Sequence, residues 1–172
     1  MSRYPSEYVP PASPSPYLRA YLKFIESFNS WDVERILACY DDTLEHHIYP
    51  KQSLRQDVPF RNKEQYAEYM RKMNPALKFI KVTLHEVIED GPKLAIQASS
   101  VGESANGTPY SNEYMSIVHF VPVTPSSDPD ALPKICLAKE FVDSAFSIKF
   151  FTEEQAKLRQ KKLEAEEVTS KA

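Results

Sequence analysis

The feature that most constrains the fold is a change in hydrophobic period at Pro75. Before this proline, apolar residues recur three and four positions apart, as in Leu18, Tyr21, Leu22, Ile25 and Phe28. After it, Ile80, Val82 and Leu84 alternate with polar residues. The first spacing is typical of an amphipathic helix, and the second of a strand with one buried face. A chain with helices first and strands last is expected to form an α+β domain.

Local signals place helices in the first half of the chain and at its end. Ser30 is predicted to cap a second helix, and Asn62 with Gln65 forms a capping-box pattern that opens a third. The run at 43–49 is rich in β-forming residues and predicts one short strand between these two helices. The pattern at 152–155 predicts the cap of a final helix that is mostly charged.

Four antiparallel strands are predicted in the second half of the chain. Asp90-Gly91 and Asn106-Gly107 are turn dipeptides that suit hairpins. The first turn lies between two short strands, and the second lies before a long strand at 110–121. The last strand is expected at 134–143, with residues 147–151 extending it. We expect this sheet to curve around the early helices and to close off a cone-shaped pocket.

The domain boundaries follow the composition. Residues 1–16 hold five prolines and several serines, which predicts a flexible arm. The folded domain is expected at 17–151, followed by a charged helix or tail at 152–172. Residues 122–133 carry four prolines and predict an exposed loop, which could be a stiff lid or only a spacer.

Composition and charge exclude several classes of function. The 172 residues carry a net charge of −3, which is not the basic field that nucleic-acid binding needs. No stretch approaches the roughly 18 apolar residues of a membrane span, and no signal peptide is expected. Cys39 and Cys136 are too few for a disulfide scaffold, so we expect reduced thiols in a cytoplasmic protein.

Polar side chains occupy one face of each of the last two strands. Alternation places Tyr110, Asn112, Tyr114 and Ser116 together on the long strand, and Glu140 lies on the next strand. A strand that only fills a core would carry Val, Ile or Leu at such positions. Phenols, an amide, a hydroxyl and a carboxylate on neighbouring strands can instead line a polar cavity and move protons.

Four stretches of the chain together resemble one known family. They are residues 37–42, residues 44–50 with 59–63, the string Tyr110-Ser-Asn-Glu-Tyr114 and the string Lys139-Glu-Phe-Val-Asp143. On these, the chain resembles the SnoaL-like branch of the NTF2-like superfamily, and its 50–63 section is similar to fungal members found beside natural-product pathways. The resemblance implies an NTF2-like cone, in which a curved antiparallel sheet wraps around the N-terminal helices and encloses a pocket.

The resemblance also implies roles for residues where the motifs match. It implies catalytic roles for Tyr110, Tyr114, Glu140 and Asp143. Glu140 would transfer the proton, as a partly desolvated carboxylate that serves as acid or base near neutral pH. Tyr110 and Tyr114 would hold and polarise a substrate oxygen. Asp143 is out of phase with Glu140 and reaches the pocket only across a bulge. The residues expected to bind substrate are Tyr49, His46, Asn112, Ser116 and Tyr40.

One polar position of the first strand is implied to be the second proton carrier, and it falls on His47 or His46. The pocket-facing register, counted from the Asp41-Asp42 pair, selects Glu45, His47 and Tyr49. The other face carries His46 between two aliphatic residues, which indicates packing, so we expect His47 in the pocket. Adjacent strand residues point to opposite faces and cannot chelate one ion, so no metal site is expected.

The resemblance therefore implies a cofactor-independent acid–base enzyme that acts on a small hydrophobic secondary metabolite, such as a polyketide, terpenoid or indole alkaloid. Isomerisation or rearrangement ranks first, cyclisation second and dehydration third. One subgroup of the resembling fungal proteins catalyses a semipinacol-type rearrangement with a Tyr-x-x-x-Tyr strand and a late Glu, but this chain departs from it in the first strand. A non-catalytic ligand binder and an interaction module stay open, and a homodimer is compatible with each.

Overall fold

The structure, a computed structural model, describes residues 6–55, 58–123 and 131–170. Its elements in chain order are α1 (Pro16–Asn29), α2 (Val33–Ala38), β1 (Tyr40–Tyr49), α3 (Lys63–Met73), a 3-10 turn (Asn74–Ala76), β2 (Leu77–Asp90), β3 (Lys93–Ser104), β4 (Pro109–Phe120), β5 (Ile135–Val142) and α4 (Ser144–Ser170). The predicted α+β order of elements is confirmed. The predicted loop at 122–133 falls mostly on 124–130, which lie outside the described residues, as do residues 1–5 of the arm.

Side-chain caps fix where the early helices begin. The Ser15 hydroxyl accepts from the backbone N–H of Leu18 and opens α1. The capping box predicted for α3 is confirmed, because Asn62 and Gln65 each accept from the other's backbone N–H. The cap of α2 is Asp32, so the prediction of Ser30 was wrong by two residues.

The sheet has five strands in the order β1-β5-β4-β3-β2. The four late strands pair antiparallel, as predicted, and the β2–β3 and β3–β4 turns hold Gly91 and Gly107 at positive φ. The first strand differs from the predicted antiparallel sheet, because β1 pairs parallel with β5. Everything between these two strands, including α3, forms the connection that a parallel pair requires. This pairing brings the first and last strands together at one end of the sheet.

The C-terminal helix begins earlier than the sequence indicates. Residues 147–151, predicted as a strand extension, belong to α4, so that prediction was wrong. Asp143 ends β5 and caps the helix, because its Oδ1 accepts from the N–H of Phe146 at 3.0 Å. Phe146 and Phe150 are then one helical turn apart, and both pack against Tyr110 at ring-centroid distances of 5.5 and 5.0 Å.

The concave face of the sheet and helices α1 and α3 form the core. Its largest fully buried side chains are Tyr40, Ile36, Leu44, Met70, Leu94, Ile96 and Ile135. The arm before α1 follows β2, where the N–H of Tyr8 donates to the carbonyl of Leu84 at 2.8 Å. No helix in the described parts of the chain is long and apolar enough to cross a membrane.

Candidate functional site

A cavity of about 800 Å³ lies between the concave face of the sheet and helices α1, α3 and α4. Aromatic rings dominate its walls: Tyr21, Phe24, Phe28, Trp31, Tyr66, Tyr69 and Phe151 line it. Helical spacing explains this wall, since residues three or four positions apart on α1 and α3 share one face. A cavity of this size and character suits a small, largely apolar molecule.

A polar strip crosses the sheet side of this cavity. Tyr110, Asn112, Tyr114 and Ser116 of β4 line it, together with Glu140 of β5. Ser116 is the register partner of Glu140, so the two strands present their polar groups side by side. The five residues that were grouped from the sequence therefore lie on one surface, as the alternation of side chains along a strand predicts.

The two phenols form a chain of hydrogen bonds. The hydroxyl oxygens of Tyr110 and Tyr114 lie 3.1 Å apart, and the Tyr114 hydroxyl lies 2.7 Å from Oγ of Ser100 on β3. Burial raises the pKa of both phenols, and the negative charge of Glu140 raises the pKa of each further. Both therefore stay protonated at neutral pH, so the hydrogen-bonded pair can donate a hydrogen bond to a ligand oxygen.

Glu140 lies beside a histidine at the same wall. Its Oε2 is 3.6 Å from Nε2 of His46, and the Glu140 side chain is 28% exposed, whereas that of His46 is 1% exposed. Both ring nitrogens of His46 are buried and have no hydrogen-bond partner among the described residues. A buried polar atom without a partner is costly, and Nε2, which lies beside Glu140, is the ring nitrogen placed to bind a ligand or water in the cavity.

The preference for His47 over His46 was wrong. His46 lines the cavity, whereas His47 lies on the outer face of the sheet, with its ring parallel to Tyr49 at 6.1 Å. Tyr49 in turn stacks on Phe141 at 4.7 Å and is also outside the cavity, contrary to its predicted substrate-binding role. The pairing of β1 with β5 is irregular between Tyr40 and residue 45, so counting from the preceding aspartates gives the wrong phase.

Two further predicted residues lie outside the cavity. Asp143, predicted to be catalytic, is the cap of α4, and its strand position is out of phase with Glu140. Tyr40, predicted to bind substrate, is fully buried in the core, where its ring packs edge-on against Tyr66 at 5.0 Å and Phe24 at 5.4 Å. Neither side chain lines the cavity.

The contribution of α4 to the site was not predicted from the sequence. Its residues Ser147, Ile148, Phe151, Thr152 and Gln155 line the cavity. Their spacing of three to four positions is the signal that could have identified them, because it is helical rather than alternating. Among the described residues, no group of three or more His, Cys, Asp or Glu side chains is arranged to hold a metal ion.

Comparisons with known proteins agree with this architecture. A family model described as a SnoaL-like domain matches residues 21–121. Monooxygenase ptaG of Pestalotiopsis fici is 30% identical over 143 residues, which cover 81% of this chain and 91% of that protein. Among solved structures, the BvnE pinacolase of Penicillium brevicompactum superposes with a TM-score of 0.68 at 19% identity, covering 84% of this chain and 96% of that one. PrhC of Penicillium brasilianum gives 0.69 at 18% identity, with coverages of 83% and 90%. The expected NTF2-like cone is confirmed.

Proposed function

Because the chain belongs to the SnoaL-like domain family, we propose that it is an acid–base enzyme whose own side chains move a proton on a small hydrophobic molecule. The observation that carries this proposal is the pair formed by His46 and Glu140 inside a cavity with aromatic walls. A carboxylate and an imidazole 3.6 Å apart can pass a proton between them when a ligand oxygen or a water molecule joins them.

The phenols supply the second part of the chemistry. Tyr114 pairs in register with Val142, two residues from Glu140 on β5, so the phenol and the carboxylate are diagonal neighbours on one face. A substrate carbonyl that accepts a hydrogen bond from the Tyr110–Tyr114 pair would place its adjacent carbon or hydroxyl near Glu140. A hydrogen bond to a developing oxyanion is worth more in a dry cavity than in water.

The proposed step is a proton transfer next to a carbonyl. Glu140 takes a proton from the carbon beside the carbonyl, the electron pair forms a C=C bond, and the former carbonyl oxygen receives hydrogen bonds from the phenols. Where a second C=C bond is conjugated with the first, returning the proton to its far carbon completes an isomerisation. Taking the proton from a hydroxyl on the carbon beside the carbonyl instead gives a rearrangement: that carbon becomes the new C=O, a neighbouring group migrates from it to the former carbonyl carbon, and the former carbonyl oxygen takes up the proton. We rank these two outcomes above cyclisation and dehydration, because they need only the groups named here.

The substrate class follows from the walls of the cavity. Nine Phe, Tyr and Trp side chains and a volume of about 800 Å³ suit a flat, polycyclic molecule that carries an oxygen at one edge. Such molecules are common among fungal polyketides, terpenoids and indole alkaloids, and the similar fold of a fungal pinacolase agrees with a rearranged secondary metabolite.

Proton exchange on a model ketone tests this function without knowledge of the natural substrate. 2-Tetralone is incubated with the protein in D₂O, and loss of its α-protons is followed by NMR. We expect exchange faster than in buffer alone, with saturation in 2-tetralone. Saturable binding of 2-tetralone without faster exchange would show a ligand binder and contradict the enzymatic proposal.

A second candidate function is oxygenation of the same kind of molecule, because the relative at 30% identity is named a monooxygenase. Proton removal by Glu140 from an acidic methylene would give a carbanion that reacts with O₂. With anthrone, CH₂ would become C=O, and one O₂ would be consumed for each water formed. Oxygen uptake with anthrone that requires Glu140 would favour this function, and its absence would favour isomerisation.

We also propose that two copies of the chain pair through the outer face of the sheet. Met115, Ile117 and Phe141 lie on this face and are 54%, 43% and 48% exposed. They are neighbours, since Met115 pairs with Phe141 in the β4–β5 register. A cluster of exposed large apolar side chains on a flat surface is typical of a protein interface.

A further inference from the structure

Asn112 uses its whole hydrogen-bonding capacity inside the protein, although it borders the cavity. Its Oδ1 accepts from the backbone N–H of Glu113 at 2.8 Å and of Asp143 at 3.0 Å. Its Nδ2 donates to Oγ of Ser147 at 2.8 Å and to the hydroxyl of Tyr110 at 3.3 Å. A side-chain amide has two donor hydrogens and two acceptor positions, so none is left for a substrate.

These partners also fix the orientation of the amide. A backbone N–H can only donate, so the amide oxygen must face Glu113 and Asp143. The amide nitrogen must then face Tyr110 and Ser147, and both hydroxyl oxygens act as acceptors there. The Ser147 hydroxyl keeps its own proton for the carbonyl of Asp143, to which it donates at 2.7 Å.

The amide therefore controls the direction of the Tyr110 hydroxyl. A phenolic O–H lies near the plane of its ring and points to one of two sides of the oxygen. The Asn112 nitrogen donates to the Tyr110 oxygen, so the proton of Tyr110 cannot point at that nitrogen, and the Tyr114 oxygen 3.1 Å away is the acceptor within its reach. The ring itself is held edge-on by Phe146 and Phe150 of α4.

We propose that Asn112 is a positioning residue that makes Tyr110 a hydrogen-bond donor toward Tyr114 and the cavity. This inference rests on the proposed function, in which the phenols polarise a substrate oxygen. Hydrogen bonds in a chain polarise one another, so a donor behind Tyr110 strengthens the hydrogen bond that the phenol pair gives to the ligand. Asn112 thus acts through Tyr110 and is not a substrate-binding residue.

Ionisation of a bound phenol probe tests the inference. The probe is 4-nitro-1-naphthol, whose absorbance distinguishes the phenol from the phenolate. All proteins carry Glu140→Gln, which removes the carboxylate charge that would repel the phenolate. Tyr110→Phe removes the donor, and Asn112→Leu removes the amide behind Tyr110 at similar volume without adding a charge. Tyr110→Phe is expected to lower the ionisation constant of the bound probe about tenfold, the effect of losing one hydrogen bond to a charged oxygen, and Asn112→Leu is expected to lower it by a smaller factor.

The combination of the two changes decides the outcome. If Asn112 acts through Tyr110, the protein with both changes resembles the one with Tyr110→Phe alone. If the ionisation constant falls by the product of the two single factors, Asn112 acts independently of Tyr110 and the inference is overturned. Asn29→Leu is the matched control, because it removes a part-buried amide that hydrogen-bonds the backbone of Val82 and does not line the cavity. It is expected to lower thermal stability and to leave the ionisation of the probe unchanged.

Failure of the proposed function gives a different result. If the probe does not bind saturably, or if Tyr110→Phe leaves its ionisation unchanged, the phenols do not polarise a ligand oxygen and the proposed function is contradicted. If Tyr110→Phe has its effect and the two changes multiply, only the role of Asn112 is overturned.

Discussion

Nε2 of His46 on β1 lies 3.6 Å from Oε2 of Glu140 on β5. These two strands are parallel neighbours in the sheet, although three other strands lie between them in the sequence. The distance exceeds that of a hydrogen bond, so the two groups are close without being bound to each other. Each therefore keeps its capacity to bind a ligand. The proposed proton transfer depends on this arrangement.

Replacing Glu140 with Gln is expected to slow α-proton exchange of 2-tetralone by about 10² or more, because the amide keeps the shape of the carboxyl but cannot take a proton. The rate is measured by NMR in D₂O, together with the thermal midpoint of unfolding. A lower rate at an unchanged midpoint assigns the loss to chemistry.

The matched control is Glu45→Gln, the same substitution on β1 at an outward-facing side chain that is 49% exposed. It is expected to leave the exchange rate unchanged. Full activity of Glu140→Gln, or equal losses in the two variants, would remove Glu140 from the proton-transfer role.

The adjacent histidines of β1 provide a second matched pair. His46→Gln is expected to lower the exchange rate by about 10², because it removes the second proton carrier from the cavity. His47→Gln changes an imidazole on the outer face and is expected to leave the rate unchanged. Both rates are measured with 2-tetralone in D₂O. A larger loss with His47→Gln would contradict the register of β1 and with it the composition of the site.

Most of the fold and half of the site could be predicted because they depend on local patterns. Alternation alone grouped Tyr110, Asn112, Tyr114 and Ser116, and the structure places them on one wall of the cavity. Turn dipeptides and one capping box were equally local signals. The choice between His46 and His47 was different, because an irregular pairing in β1 shifts the phase and cannot be seen in the composition of the strand.

The remaining errors have a common physical cause, which is that long-range contacts override local patterns. Residues 147–151 have an apolar content that suits a strand, but Asp143 caps a helix there and Tyr110 offers a surface to Phe146 and Phe150. The flanking aliphatic residues of His46 were interpreted as signs of packing. Ile48 lines the cavity, whose walls are themselves apolar, whereas Leu44 packs in the core.

The outer face of the sheet predicts the oligomeric state. Ile117→Lys is expected to convert a dimer into a monomer, because it places a charge at the centre of the apolar cluster with Met115 and Phe141. Mass in solution is measured by sedimentation. Leu158→Lys, the same kind of change at an exposed position of α4, is the control and should leave the mass unchanged. A wild-type chain that sediments as a monomer at high concentration would contradict the proposed interface.

The contact between α4 and the β3–β4 turn predicts how stability depends on pH. Glu154 is 2% exposed, and burial disfavours its charge, but hydrogen bonds from Lys157, Ser104, Thr108 and Asn106 outweigh this cost and lower its pKa from 4.5 to about 2. A depressed pKa contributes stability that is present above pH 4.5 and is lost as the pH falls toward 2.

Between pH 6 and pH 3, the wild-type chain should therefore lose about 2 kcal/mol more of its free energy of unfolding than Glu154→Gln, measured with urea. Glu153→Gln, next to it on the exposed side of the helix, should keep the wild-type slope. If the free energy of unfolding changes equally with pH in wild type and Glu154→Gln, this carboxylate does not hold α4 over the cavity.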